Sequence, residues 1–146
     1  MRQIKQKTAI IIGSGRFGAN IAGALSDQSY HVTVIDKDSA AFRKLPESFG
    51  GYQMTGNGAD IDVLRSAGIE HVKTMVISTD QDNVNCLIAE IASRVFHVPN
   101  IYVRLDDPAK EHLLEGFDVH AIYPFKLSVN EFEKLSALTV KEEINV

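Results

Sequence analysis

"AIIIGSGRFGANIAGAL", residues 9–25, decides the fold. An apolar run of strand-forming residues stops at three glycines, Gly13, Gly15 and Gly18, spaced G-x-G-x-x-G. Phe17, Ile21, Ala24 and Leu25 then recur at helical spacing. A strand that turns through such a loop into a helix has a defined chemistry. Gly13 permits the tight turn, Gly15 lets a pyrophosphate reach the backbone, and Gly18 lets helix and strand pack closely. The first helical turn offers free N–H donors and a partial positive charge to a phosphate.

The pattern repeats outward from there. His31–Ile35 reads as a second strand ending at Asp36. Ala40–Leu45 reads as a short helix stopped by Pro46, and Tyr52–Thr55 as a third strand. Asp60 is placed to cap a helix carrying Val63, Leu64 and Ala67 up to Gly68. Thr74–Ser78 is a fourth strand, followed by a helical face of Val84, Leu87, Ile88, Ile91 and Val95. Ile101–Val103 is a fifth strand. Pro108 opens a helix through Leu113 and Leu114, closed by Gly116. Val119–Tyr123 is a sixth strand, ended by Pro124. Six strands alternating with helices predict an α/β fold: a doubly wound, parallel six-stranded sheet, the Rossmann arrangement. An additional C-terminal helix is expected over Ser128–Glu142, with an apolar stripe of Val129, Phe132, Leu135 and Leu138. That stripe packs either on its own sheet or on a second subunit.

With no repeat, linker or low-complexity segment, the 146 residues read as a single domain, residues 126–146 being its terminal helix and candidate assembly element. Composition is ordinary, 45% apolar and 23% charged, and the net charge of −4 carries no nucleic-acid footprint. No apolar run approaches the roughly 20 residues of a membrane span, so no direct membrane insertion is expected. The basic start, MRQIKQK, leads into a short strand and not into a signal-peptide core. One cysteine, Cys86, permits no internal disulfide and suits a reducing cytoplasm. No Cys/His cluster has metal-ligand spacing, so no metal is expected.

Asp36 lies 18 residues beyond Gly18, near the usual distance of about 20 for the residue that binds an adenosine ribose. Its carboxylate accepts from both ribose hydroxyls and repels a 2′-phosphate, which disfavours NADP; the adjacent Lys37 blunts the repulsion. Arg16 stands at the mouth of the phosphate site, either holding a terminal phosphate or exposed at the helix start.

Six ordered stretches extend the match. They are GSGRFG (13–18), VTVIDKD (32–38), TGNGADIDVLRSAGI (55–69), VISTDQDNVN (76–85), YVRLDDP (102–108) and GFDVHAIYP (116–124). Together they resemble the Trk/Ktr-type RCK (KTN) regulatory domain of bacterial potassium transport systems. The resemblance implies a Rossmann domain that binds NAD(H) or an adenine nucleotide (ATP, ADP or AMP). It implies a homo-oligomer, a dimer or a higher ring, that gates a membrane potassium-translocating subunit without being an enzyme. Such a protein is cytoplasmic, peripheral on the inner face of the membrane through its partner.

The resemblance carries Gly13, Ser14, Gly15, Arg16, Phe17, Gly18, Asp36 and Lys37 onto the ligand site. Phe17 also fits the buried helix face. Asn57, with Gly58 and Ala59, stands where many members have an aspartate; its amide still meets an adenine edge. Thr79, Asp80 and Asn83 follow the fourth strand and Arg104 ends the fifth, at the carboxyl edge where ligands bind in such sheets. Asp80 equally caps the next helix. Phe125 and Lys126 follow Pro124 where some relatives have an acidic residue, so no carboxylate-bound cation is expected there. Many relatives carry a second ligand domain; Met1 and the helical tail suggest instead a short natural subunit.

No catalytic residue is assigned. Hydride transfer needs a substrate domain and an acid or base beside the nicotinamide. Only about 22 residues follow the sixth strand. The alternative is a small NAD-dependent oxidoreductase, or the cofactor-binding half of one.

Overall fold

The computed structural model describes residues 7–140. Six strands, β1 (Thr8–Ile12), β2 (His31–Asp36), β3 (Tyr52–Thr55), β4 (Thr74–Ile77), β5 (Asn100–Arg104) and β6 (His120–Ile122), form one sheet. Every pairing is parallel and the order is β3-β2-β1-β4-β5-β6. This is the doubly wound Rossmann sheet that the alternation predicts. Strand order reverses between β1 and β4, so a crevice opens at their carboxyl ends.

Side-chain alternation along β1 divides the core. Ile10 and Ile12 face one side, packed with Ile35, Leu64, Met75, Ile77, Ile88 and Ile101. Ala9 and Ile11 face the other, packed with Ala22, Val32 and Val34. Helix α1 (Arg16–Asp27) covers that second face with Phe17, Ile21 and Leu25. Ala24 is exposed, so the expected stripe narrows to its i, i+4 members.

Helices α2 (Ile61–Ser66) and α3 (Asp82–Glu90) belong to the first face. Asp60 caps α2 by accepting from Asp62 N at 2.9 Å. The expected face of α3 is corrected. Ile88 is buried and Val84 and Ile91 pack against the core as expected, but Leu87 and Val95 are exposed, and Asn85, Cys86, Ala89 and Ala92 are buried in their place. A π turn over Ile91–Val95 shifts the phase of the last part of this helix. Ser39–Lys44 and Pro108–Leu114 are 3-10 segments, started by Asp38 and Asp107 side chains that accept from Ala40 N and Ala109 N.

The tail helix α4 runs Pro124–Ser136. It starts before Ser128 because Pro124, read as a strand stop, is also a favourable first helical residue. It ends with Ala137 at φ 57°, so Leu138 lies beyond it, and Glu142 is outside the described residues. No residue of α4 is buried. Phe125, Leu127, Phe132 and Leu135 are exposed, so the stripe does not pack on its own sheet.

Candidate functional site

The crevice at the switch point is a cavity of about 330 Å³, at the small end of ligand pockets. The loop after β1 forms one wall. Gly13 adopts φ +95°, and a Cβ there would sit 2.6 Å from the Ser78 carbonyl. A Cβ on Gly18 would run into the Gly13 carbonyl. These two glycines are demanded by the fold. Gly15 is different. Its φ of −73° suits any residue and a Cβ would meet nothing within 4 Å. The space above it belongs to the cavity, so its missing side chain leaves room for a ligand and not for the protein. No side chain caps α1 and its first turn holds no acidic residue, so the N–H donors there suit an anion.

Asp36 stands at the end of β2. Its Oδ2 accepts from Ser14 N at 2.7 Å and its Oδ1 from Asp38 N at 2.9 Å. Each oxygen keeps a further acceptor site for a hydroxyl. The carboxylate therefore also ties the glycine loop to β2, a contact the sequence does not announce. Asn57 Oδ1 accepts from Ala59 N at 3.0 Å, which fixes the loop and leaves the side-chain amide N–H groups as donors.

Gly13, Gly15, Asp36, Lys37, Asn57, Gly58, Thr79, Asp80 and Arg104 all line the cavity. The other expected residues do not. Ser14 is fully buried, with its hydroxyl donated to Ala41 O at 3.1 Å. Phe17 packs in the core behind α1, Gly18 is at the helix–strand contact, and Arg16 is exposed outside the wall. Ala59 packs against the core. Asn83 lies in a neighbouring groove with Asp82, Asp106 and Lys110.

Sequence reading missed two buried polar residues of α3 that hold this edge together. Asn85 Oδ1 accepts from Thr79 N at 3.1 Å and from the Thr79 hydroxyl. Its Nδ2 donates to Thr79 O and Arg104 O, both at 3.0 Å. Asp82 accepts from Asp106 N and Asp107 N, both at 2.9 Å. Arg104 Nε in turn pairs with Asp106 Oδ1 at 2.9 Å.

Among the described residues, no histidine, cysteine or tyrosine lines the cavity. All five histidines are exposed. Burial and the nearby Asp82 push the Cys86 thiol up, against the thiolate form. Burial, with Glu111 beside it, pushes the Tyr123 phenol up to about 12. Among the described residues no group of three His, Cys, Asp or Glu side chains is placed to hold a metal ion.

The family model of the TrkA-N domain matches residues 9–124, from β1 through the start of α4. The chain belongs to the TrkA-N domain family. It is 38% identical over 113 residues to the Trk system potassium uptake protein TrkA of Streptomyces coelicolor, a match that covers 77% of this chain. The chain spans about half of that relative's length, 51%. The TrkA-N domain of the inner membrane protein ybaL of Escherichia coli has the same fold, with a TM-score of 0.77 at 18% identity over 88% of this chain and 96% of that one. Kef CTD of Shewanella denitrificans, solved in AMP-bound form, aligns with a TM-score of 0.71 at 28% identity over 92% of this chain and 82% of that one. No helix of the described residues is long and apolar enough to cross a membrane.

Proposed function

We propose that this chain is a nucleotide-sensing regulatory domain of a potassium uptake system. It binds NAD(H) or an adenine nucleotide in the crevice and gates a membrane potassium-translocating subunit from the cytoplasmic side. The observation that carries this reading is Gly15: a glycine with ordinary backbone angles, open space above it and an uncapped helix end beside it. Asp36, with acceptor capacity on both oxygens, fits the adenosine ribose. The named potassium uptake relative and the AMP-bound Kef CTD point the same way. The TrkA-N family match and the named potassium uptake relative favour sensing over hydride transfer. The mechanism is linkage: a nucleotide that binds one arrangement of the assembly more tightly shifts the population, and the partner reads the shift.

Thermal unfolding with ATP, ADP, AMP, NAD, NADH and NADP tests the reading. A ligand at about 100 times its Kd adds roughly 2.7 kcal/mol, a rise in Tm of roughly 5–10 °C for a domain of this size. NADP is expected to give the smallest rise. No shift with any of the six refutes nucleotide sensing by this chain. Asp36→Ala is expected to lower adenosine-nucleotide affinity by at least about tenfold, through loss of one or more charge-assisted hydrogen bonds. Unchanged affinity in calorimetry removes Asp36 from the site.

The exposed apolar residues of α4 support a homo-oligomer, because a row of this kind is commonly covered by another chain. Phe132→Asp is expected to reduce the assembly to smaller species in light scattering, with the monomer fold intact by circular dichroism. An unchanged mass excludes this face.

A further inference from the structure

We infer that Asp106 sets which nucleotides the cavity accepts, by neutralising Arg104; this rests on the nucleotide-binding reading above. The cavity has two ends. The glycine loop and Asp36 belong to the β1–β2 end, and Thr79, Asp80 and Arg104 to the β4–β5 end. Among the described residues Arg104 is the one basic side chain lining the second end, and Lys110 lies in the adjoining groove with Asp80 and Asp106.

Its guanidinium is already engaged. Nε donates to Asp106 Oδ1 at 2.9 Å and Nη2 to Asp106 Oδ2 at 3.4 Å, so two edges face each other. The two side chains are 20% and 30% exposed, which sets this pair apart from the freely solvated ones at Arg65 and Arg94. Buried side chains of α3 also clamp both backbones. Asn85 holds the Arg104 carbonyl, and Asp82 holds the Asp106 and Asp107 N–H groups. The pair is thus built into the scaffold.

Asp80 adds a second carboxylate to the same end. With Arg104 balanced by Asp106, and Lys110 of the adjoining groove set against Asp80 and Asp82, this end holds more acidic than basic side chains. It suits an uncharged, hydroxyl-bearing group, such as the second riboside of a dinucleotide. It opposes the added phosphates of a triphosphate.

The test is Asp106→Asn. The amide oxygen still accepts from Arg104 Nε, and the fold's bonds to residue 106 run through its backbone N–H. Calorimetry of ATP and AMP with both proteins gives the affinity ratio. These ligands share base, ribose and first phosphate, so the ratio isolates the added phosphates. The ATP:AMP ratio is expected to rise about fivefold in the variant, the size of a partly exposed charge interaction. The rise should shrink with added salt and vanish in Asp106→Asn combined with Arg104→Ala. A ratio that stays level or falls overturns the role of Asp106 while leaving nucleotide binding intact. Absence of binding by the unsubstituted chain overturns the nucleotide reading and this inference with it.

Discussion

Gly15→Ala is expected to leave the ligand-free protein within about 1 kcal/mol of its original stability and to cost roughly ten- to hundredfold in nucleotide affinity. The two halves of this expectation have separate causes. At φ −73°, alanine adopts the native backbone without strain, and its methyl group enters empty space. Its smaller unfolded-state freedom and its poorer capping nearly cancel. The methyl group does, however, occupy the volume through which a phosphate reaches the first-turn N–H groups. Loss of even one charge-assisted hydrogen bond to that phosphate accounts for the lower end of the range. Gly18→Ala is the contrasting control, since its Cβ collides with the Gly13 carbonyl and the protein itself suffers. Urea denaturation and nucleotide calorimetry on both variants separate the two roles. A Gly15→Ala protein that binds as well as the original moves the phosphate away from this loop. One that is unstable without ligand shows that the backbone needs glycine there.

The glycine loop, Asp36 and the strand–helix alternation were legible because each depends on chemistry local to a few residues. The β1 apolar run, the turn and the acidic end of β2 announce themselves at fixed spacing. The clamps of α3 were not legible. Asn85 reaches Arg104 across 19 positions, and Asp82 reaches Asp106 and Asp107 across 24 and 25, so no spacing rule links them. Apolar periodicity even pointed the wrong way, toward Leu87, because it ranks an asparagine below a leucine for burial. Val95 failed for another reason: the π turn before it breaks the 3.6-residue period. Ser14 was placed in the site by the family resemblance, and its side chain turns inward to Ala41. The end of α4 gave no signal, because Ala137 fills a left-handed position where glycine or asparagine is usual.

Asn85→Leu is expected to cost about 3–5 kcal/mol of folding stability, a large share of the roughly 5–15 kcal/mol typical of a domain. Asn85 is fully buried. Leucine has the same branching and is bulkier, so no cavity forms; the loss comes from hydrogen bonding, with overpacking adding to it. Thr79 N loses its acceptor, and Thr79 O and Arg104 O lose their donor. The Thr79 hydroxyl suffers less, because it also reaches Gln81 O at 3.3 Å. Three backbone groups without partners, at about 1–3 kcal/mol each and with some relief from water at the half-buried Thr79, give the stated range. A urea titration reads it as a lower midpoint at unchanged slope. A cost under about 1 kcal/mol would mean that water satisfies these groups as well as the amide does. The same substitution loosens Thr79 and Arg104 together, and both line the cavity. A saturating nucleotide that contacts both strand ends therefore recovers less stability in the variant than in the original protein. Asn85 thus does for the β4–β5 end what Asp36 does for the glycine loop, setting the spacing of two strand ends before any ligand arrives.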